Sequence, residues 1–251
     1  MINQKNVQTD IEQQITIRFK FYKKEEFKYL SHLDIVRILC RALNRAGFKV
    51  AYSSGYNPKP RLRFSPPTPL GIESFAEYGE VIVNDNIDGN EFKEKINKEL
   101  NDKIQIVEAK SLPGKADSFM NEIAVNLYTF VLDTTDYSSS SLSPSSSSDT
   151  TKILLDKFYS DMLGGLIEKS DFMSSIYRYE MLPSNESSNI FFLKIYGYAK
   201  IFKEKNNNFF KFNNFYLFLK ECLKEYRISI NNVKKEESFT LDDNGINAMQ
   251  I

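Results

Sequence analysis

ITIRFKFYK, residues 15–23, decides how the first half of this chain folds. Apolar and polar side chains alternate through it, the two-residue period of a strand with one face buried. Beyond KKEEF, the run Ser31-His32-Leu33-Asp34 suits a helix start, where the Ser oxygen and the Asp carboxylate can satisfy free amides. That helix is expected to run to about Ala46 and stop at Gly47, with Leu33, Val36, Leu39, Cys40 and Leu43 facing the core. Phe48 to Ser53 reads as a second strand, GYNPKP as loop and Arg61 to Ser65 as a short strand-like piece before PPTPLG. Tyr78 to Val83 reads as a strand, Asp88 to Leu100 as an amphipathic helix and Ile104 to Lys110 as a last strand. The order is β-α-β-β-α-β, the ferredoxin-like motif.

The second half repeats this order more loosely: a strand at Val125 to Asp133, a helix at about Lys152 to Leu163, and strands at Ser174 to Met181 and Ile190 to Ile201. A helix from Asn214 to Tyr226 and a strand from Ile228 to Val233 complete it. The expectation is an α+β protein of two tandem ferredoxin-like halves, at 15–113 and 114–240, with the boundary near Pro113-Gly114-Lys115. Residues 1–14 and 241–251 are expected as flexible ends. The stretch SSSSLSPSSSSD, residues 138–149, is expected as an inserted loop of the second half, too polar to pack.

Apolar residues make up 41% and charged residues 26% of the 251, an ordinary balance for a soluble globular protein. No run approaches the eighteen or so apolar residues of a membrane span, and the polar start has no leader pattern, so a cytoplasmic protein without a membrane partner is expected. Cys40 and Cys222 fall in helical apolar patterns and are expected as free thiols. Two Cys and one His cannot supply a four-cysteine zinc site or the three-cysteine motif of a radical-SAM cluster. No metal or cofactor is expected in this chain. The absence of GxxxxGK[ST], GxGxxG and GxSxG removes support for phosphate-loop, dinucleotide and esterase chemistry.

Net charge is zero overall, yet Arg18 to Arg63 holds twelve Lys or Arg against Glu25, Glu26 and Asp34. A local field of +9 favours phosphate-bearing partners. Arg37, Arg41 and Arg45 recur every four residues along one helix stripe, which suits either a phosphate-binding face or a solvated face with Asp34 compensating the first Arg. The loop from Tyr52 to Arg63 gathers Tyr52, Tyr56, Asn57, Lys59, Arg61 and Arg63, with Gly55 and Pro58 fixing its backbone. Unpaired bases stack on such rings while cations hold the phosphates; a plain hairpin whose Tyr rings cover core is the alternative. His32, the one histidine, is either a general acid or base with Tyr29 nearby or a neutral group donating a single hydrogen bond. Pro66 to Gly71 forms a rigid connector, with Gly71 suited to a backbone other residues dislike.

These residues carry a family resemblance. Tyr29 to Asp34, Arg41-Ala42-Leu43, Arg45-Ala46-Gly47, Tyr52-Ser53, Asn57-Pro58 to Phe64, Pro69-Leu70-Gly71 and Glu77-Tyr78 together resemble the uncharacterised radical-SAM-linked family. The loop there reads closer to Gly-Phe-Asn-Pro-His-Pro, so Tyr56 and Lys59 stand for Phe and His, which argues against catalysis by a second His. The resemblance implies a partner: a radical-SAM protein with a cobalamin-binding domain. Iron-sulfur cluster, S-adenosylmethionine and cobalamin would belong to that partner. It also implies an accessory role, presenting a macromolecular substrate, RNA or a ribosome-related one, to that enzyme. Two other readings stand beside it: a metal-independent ribonuclease with His32 as base and a cation such as Lys59 stabilising charge, and a protein adaptor for an acidic partner.

Overall fold

A computed structural model of the chain describes residues 14–116, 119–136, 170–187, 189–202 and 207–251. The Ser-rich stretch 138–149, the helix expected at 152–163 and nearly all of the N-terminal segment lie outside the described residues. Backbone contacts divide the chain after Glu122. The first unit runs to Glu122 and takes in Gln250–Ile251; the second is Ile123–Met249.

In the first unit the alternating segment forms strand β1, Ile15–Lys23, with Ile17, Phe19 and Phe21 buried. Ser31 caps helix α1, His32–Arg45, its side chain accepting from the Asp34 amide, and the helix ends before Gly47 at φ +80°. Strand β2, Leu62–Phe64, pairs with β3, Glu73–Val83. Asp88 caps α2, Gly89–Asn97, and the unit's last strand is β4, Ile104–Pro113. Strand β1 lies between β3 and β4, and β2 takes the far side of β3, all antiparallel. The observed architecture is mixed α and β, with helices alternating with antiparallel strands.

The core-facing set of α1 differs from the expected one. Ile35, Leu39, Ala42 and Leu43 are buried, while Leu33 is 63% exposed and Val36 and Cys40 sit at the flank. The helix begins at His32, so Leu33 lies in its first turn and points outward, and the true stripe starts at Ile35. The strand expected at Phe48 to Ser53 does not form as one. Val50 alone bridges to Val83, Phe48 turns into the core, and the ladder resumes only at Leu62.

Phe19 and Gly79 face each other across β1 and β3. The Phe19 ring, packed 6.0 Å from Phe21 and Phe92 and 6.3 Å from Phe64, lies over the glycine, so a Cβ at position 79 would come within 2.2 Å of its tip. Glycine inside a strand marks such a close approach.

In the second unit β5, Val125–Asp133, is flanked by β7, Ile190–Tyr198, and β8, Ser229–Asp242. Strand β6, Ile176–Pro183, pairs with β7, again antiparallel. Helix α3, Phe212–Glu225, packs Phe212 and Phe215 against Phe130 at 5.8 Å. The end of the chain, expected as a frayed tail, instead turns at Asp242 to Gly245 into strand β9, Gly245–Ala248, paired with β8. Met249 and Ile251 are buried; the turn is made by Asp243 and Asn244, with Gly245 at φ +121° opening the return strand.

Gly79→Ala is expected to cost about 1–3 kcal/mol through overpacking against Phe19, read as a lower urea midpoint at unchanged slope.

Candidate functional site

Within the first unit, the side of β3 away from β1 is paired by two separate pieces of chain. Val50 bridges to Val83 and Leu62–Phe64 pairs with Gly79–Val81, and between them the chain leaves the sheet. Its neck is closed by an Ala51 amide donating to the Ile82 carbonyl and an Arg61 amide donating to the Ala51 carbonyl, both at 2.8 Å. A Tyr52 to Pro60 bridge follows, then a Ser53 amide to Lys59 carbonyl bond at 2.8 Å and a Lys59 amide to Ser53 Oγ bond at 3.0 Å. Gly55 at the tip adopts φ +127°, a conformation other residues rarely take. The loop is therefore a pinned excursion, and its Tyr rings do not cover core: Tyr56 is fully exposed and Tyr52 is 47% exposed. Asn57, Pro58 and Lys59 are exposed beside them.

The cations divide into two groups. Arg37 pairs with Asp34 at 3.2 Å, Arg45 with Glu99 at 3.0 Å, and Arg63 with Glu80 at 3.0 Å. Glu80 is buried and takes Arg18 on its other oxygen at 3.1 Å. Asp34 thus compensates Arg37, as the solvated-face reading of this stripe expects, and Glu99 takes Arg45, which leaves Arg41 as the guanidinium of the stripe without such a partner among the described residues. Arg41, Lys59 and Arg61 have no ion pair among the described residues.

His32 opens α1, exposed, with its ring edge-on to Phe64 at 5.6 Å. Tyr29 is 66% exposed, with the Lys28 ammonium 5.4 Å above its ring. Gly71 takes φ +83° and donates its amide to the Lys28 carbonyl at 2.9 Å, tying the Pro66 to Gly71 connector to the turn before α1. Beneath His32 lies a feature that the reading of the sequence missed. A cavity of about 20 Å³ is lined by Phe21, Lys23, His32, Ile35, Phe64, Ser65, Pro67, Thr68 and Glu77. Lys23, Thr68 and Glu77 are all buried. The Thr68 hydroxyl donates to Glu77 Oε1 and lies 3.3 Å from Ser74 Oγ, and Lys23 Nζ donates to the Thr68 carbonyl at 3.5 Å. The signal was present as parity: Lys23 continues the inward positions of Phe19 and Phe21, and Glu77 those of Gly79 and Val81.

Among the described residues no group of three or more His, Cys, Asp or Glu is placed to hold a metal ion. Cys40 and Cys222 are free and half-buried, and burial pushes both thiols up. No described helix is long and apolar enough to cross a membrane.

A family model described as "Uncharacterized protein conserved in bacteria (DUF2344)" matches residues 16–161, more than half of the chain. The chain belongs to that family. The match takes in the pinned loop, His32 and the polar pocket alike. No curated protein matches the sequence. Among solved structures, that of an unknown protein from Galdieria sulphuraria aligns at 14% identity over 89% of this chain and 98% of that one, with a TM-score of 0.24.

Asp34 has its carboxyl held below the ordinary aspartate value, chiefly by the Ser31 hydroxyl at 2.6 Å, with Arg37 adding to it. A depressed carboxylate stabilises the fold above its unfolded pKa, and that contribution is lost as pH falls through about 4 and below. Thermal melts of wild type and Asp34→Asn are expected to differ at neutral pH and to converge near pH 3.

Proposed function

We propose that this protein is a cytoplasmic accessory binding domain that holds a single-stranded stretch of RNA and presents it to a partner radical-SAM enzyme carrying a cobalamin-binding domain. The observation that supports the RNA half of this reading is the pinned loop. Two exposed Tyr rings stand on a neck fixed by four backbone hydrogen bonds or bridges, with Lys59 and Arg61, which make no ion pair among the described residues, beside them. Bases stack on aromatic faces whatever their sequence, while cations hold the backbone. An acidic protein partner would be served by the cations alone and gives no reason to expose Tyr56 fully. The partner half rests on the resemblance of the Tyr29 to Tyr78 motifs, and on two cysteines being too few for a radical-SAM cluster.

The same proposal reads both units as ferredoxin-like halves in tandem. In each, the first strand lies between the third and fourth and the second pairs with the third. Each third strand carries a Tyr-Gly pair, Tyr78-Gly79 and Tyr196-Gly197, whose glycine lies under a Phe ring.

A second reading, metal-independent cleavage with His32 as base, draws support from His32's place over a pocket containing Lys23 and Glu77. Its expected signature is cleavage lost in His32→Ala while binding persists.

Binding of a labelled single-stranded RNA is expected to weaken with salt, with a slope of roughly −2 if Arg41, Lys59 and Arg61 each meet a phosphate. Arg41→Ala with Arg61→Ala should flatten that slope to about −0.7, and Tyr56→Ala should cost about 1–3 kcal/mol with the slope unchanged. Binding that is absent, or indifferent to salt in a titration, overturns the proposal.

A further inference from the structure

Among the described residues of the first unit, four large apolar side chains are more than three-fifths exposed: Tyr56 at the loop tip, and Tyr29, Leu33 and Leu70 around the start of α1. Single exposed leucines are ordinary on a protein surface, whereas large apolar side chains grouped on neighbouring backbone mark a place where another molecule sits. The connector supplies the grouping. Gly71 bonds its amide to the Lys28 carbonyl at 2.9 Å and lies beside the Tyr29 ring, where a Cβ would stand 3.8 Å from it. Pro67 and Thr68 share the wall of the small cavity with His32. The connector therefore runs along the start of α1, and Leu70 stands between those two contacts.

The fold does not ask for apolar side chains at Leu33 or Leu70. The core stripe of α1 is Ile35, Leu39, Ala42 and Leu43, and the staple positions on either side of the Ser31 cap are filled by Leu30 and Ile35, both packed in the core. Leu33 adds to neither. Leu70 precedes Gly71, and the turn there depends on the glycine at φ +83°. Both leucines nevertheless stand on fixed backbone, one in the first turn of a capped helix and one in a connector that holds Pro66, Pro67 and Pro69. Apolar side chains held out in this way bind at little ordering cost.

The chemistry of the patch selects its occupant. Aliphatic side chains neither stack on bases nor hydrogen-bond to phosphates, so a nucleic acid gains little from Leu33 and Leu70. A second copy of this chain would bring the basic segment Arg18 to Arg63, at +9, against itself across a two-fold axis. Beside the patch, Lys24 and Lys28 lie over the Tyr22 and Tyr29 rings and make no ion pair among the described residues. Of the nearby carboxylates, Glu25 is paired with Lys103 and Glu73 accepts the Glu25 amide, which leaves Glu26 to oppose them. We infer that Tyr29, Leu33 and Leu70 form a docking surface for an acidic amphipathic helix of a partner protein, whose leucines recur at three- and four-residue steps and whose carboxylates meet the basic surround. The inference stands apart from the RNA reading of the loop.

The test is fluorescence anisotropy of the full chain with a labelled helical peptide of about 18 residues, its leucines at those steps and glutamates between them. Wild type is expected to bind it with a dissociation constant on the order of 10 μM, and Leu33→Ser with Leu70→Ser should weaken binding about tenfold or more. The same peptide with lysines in place of glutamates should not bind. Both side chains are exposed, so circular dichroism melts of the double variant should match wild type, and its affinity for labelled single-stranded RNA should be unchanged. Tyr56→Ala should weaken RNA binding and spare the peptide. Equal binding of the peptide by wild type and double variant, or none by either, overturns the docking surface and leaves the loop reading standing. So does a double variant that instead loses a dimer measured by light scattering, or binding to phosphatidylserine vesicles. RNA binding that is absent while the peptide binds overturns the loop reading alone.

Discussion

The first unit depends on the register that sets Phe19 opposite Gly79. The ring occupies the space that any Cβ at position 79 would need, and it is held there by Phe21, Phe64 and Phe92. Because side chains alternate along a strand, a slip of one residue would reverse every face of β3. Glu77 would leave the pocket, and Glu80 would enter the apolar layer in place of Val81. The same register sets Arg18 and Arg63 on either side of Glu80. One ring over one glycine therefore fixes the polar pocket, the ion pairs of the opposite face and the strand from which the loop departs.

That arrangement changes how the basic segment is understood. Its charge of +9 is not spread over one surface. A buried carboxylate left alone is strongly destabilising, and Glu80 at 1% exposure claims Arg18 and Arg63. Arg45 reaches both the side chain and the main-chain carbonyl of Glu99, tying α1 to the end of α2. Arg37 and Asp34 form an exposed pair of the kind worth little to stability, although Asp34 also helps secure the Ser31 cap. Arg41 on the helix and Lys59 and Arg61 at the loop make no ion pair among the described residues, nor does Lys49, while Lys24 and Lys28 lie over the Tyr22 and Tyr29 rings.

What was legible in the sequence was local. The alternation of Ile15–Lys23, the Ser31 cap, the stop at Gly47 and the turn chemistry of Gly55 to Pro60 each depend on a few neighbouring residues. Misjudged features depended on distant ones. Whether Phe48 to Ser53 forms a strand is decided by which residues of β3 remain to be paired, and only an isolated bridge at Val50, with the Ala51 amide bonded to Ile82, reaches that strand. The phase of α1 followed from its first residue, which moved Leu33 to the surface. Lys23 and Glu77 stand at inward positions that parity can identify, yet their union with Thr68 and His32 requires the connector Pro66 to Gly71 to fold back over the helix start. The final hairpin turns on Asp243 and Asn244, and its return strand is specified by pairing with β8 rather than by local sequence.

Interrupting an edge strand is an economical way to carry a loop. Within the first unit, the side of β3 away from β1 keeps its pairing at Val50 and at Leu62–Phe64, so the excursion between them weakens the ladder little. The ordering entropy that binding would otherwise demand is largely spent in folding, through the neck bonds and the fixed geometry of Gly55 and Pro58. Tyr56, with its ring fully exposed and its backbone held, then has little to lose on contact beyond the motion of its own side chain. An exposed aromatic on a mobile loop would have to be ordered by the partner and would bind correspondingly less well. The physical case for recognition thus rests on the rigidity of the neck as much as on the identity of the rings it carries.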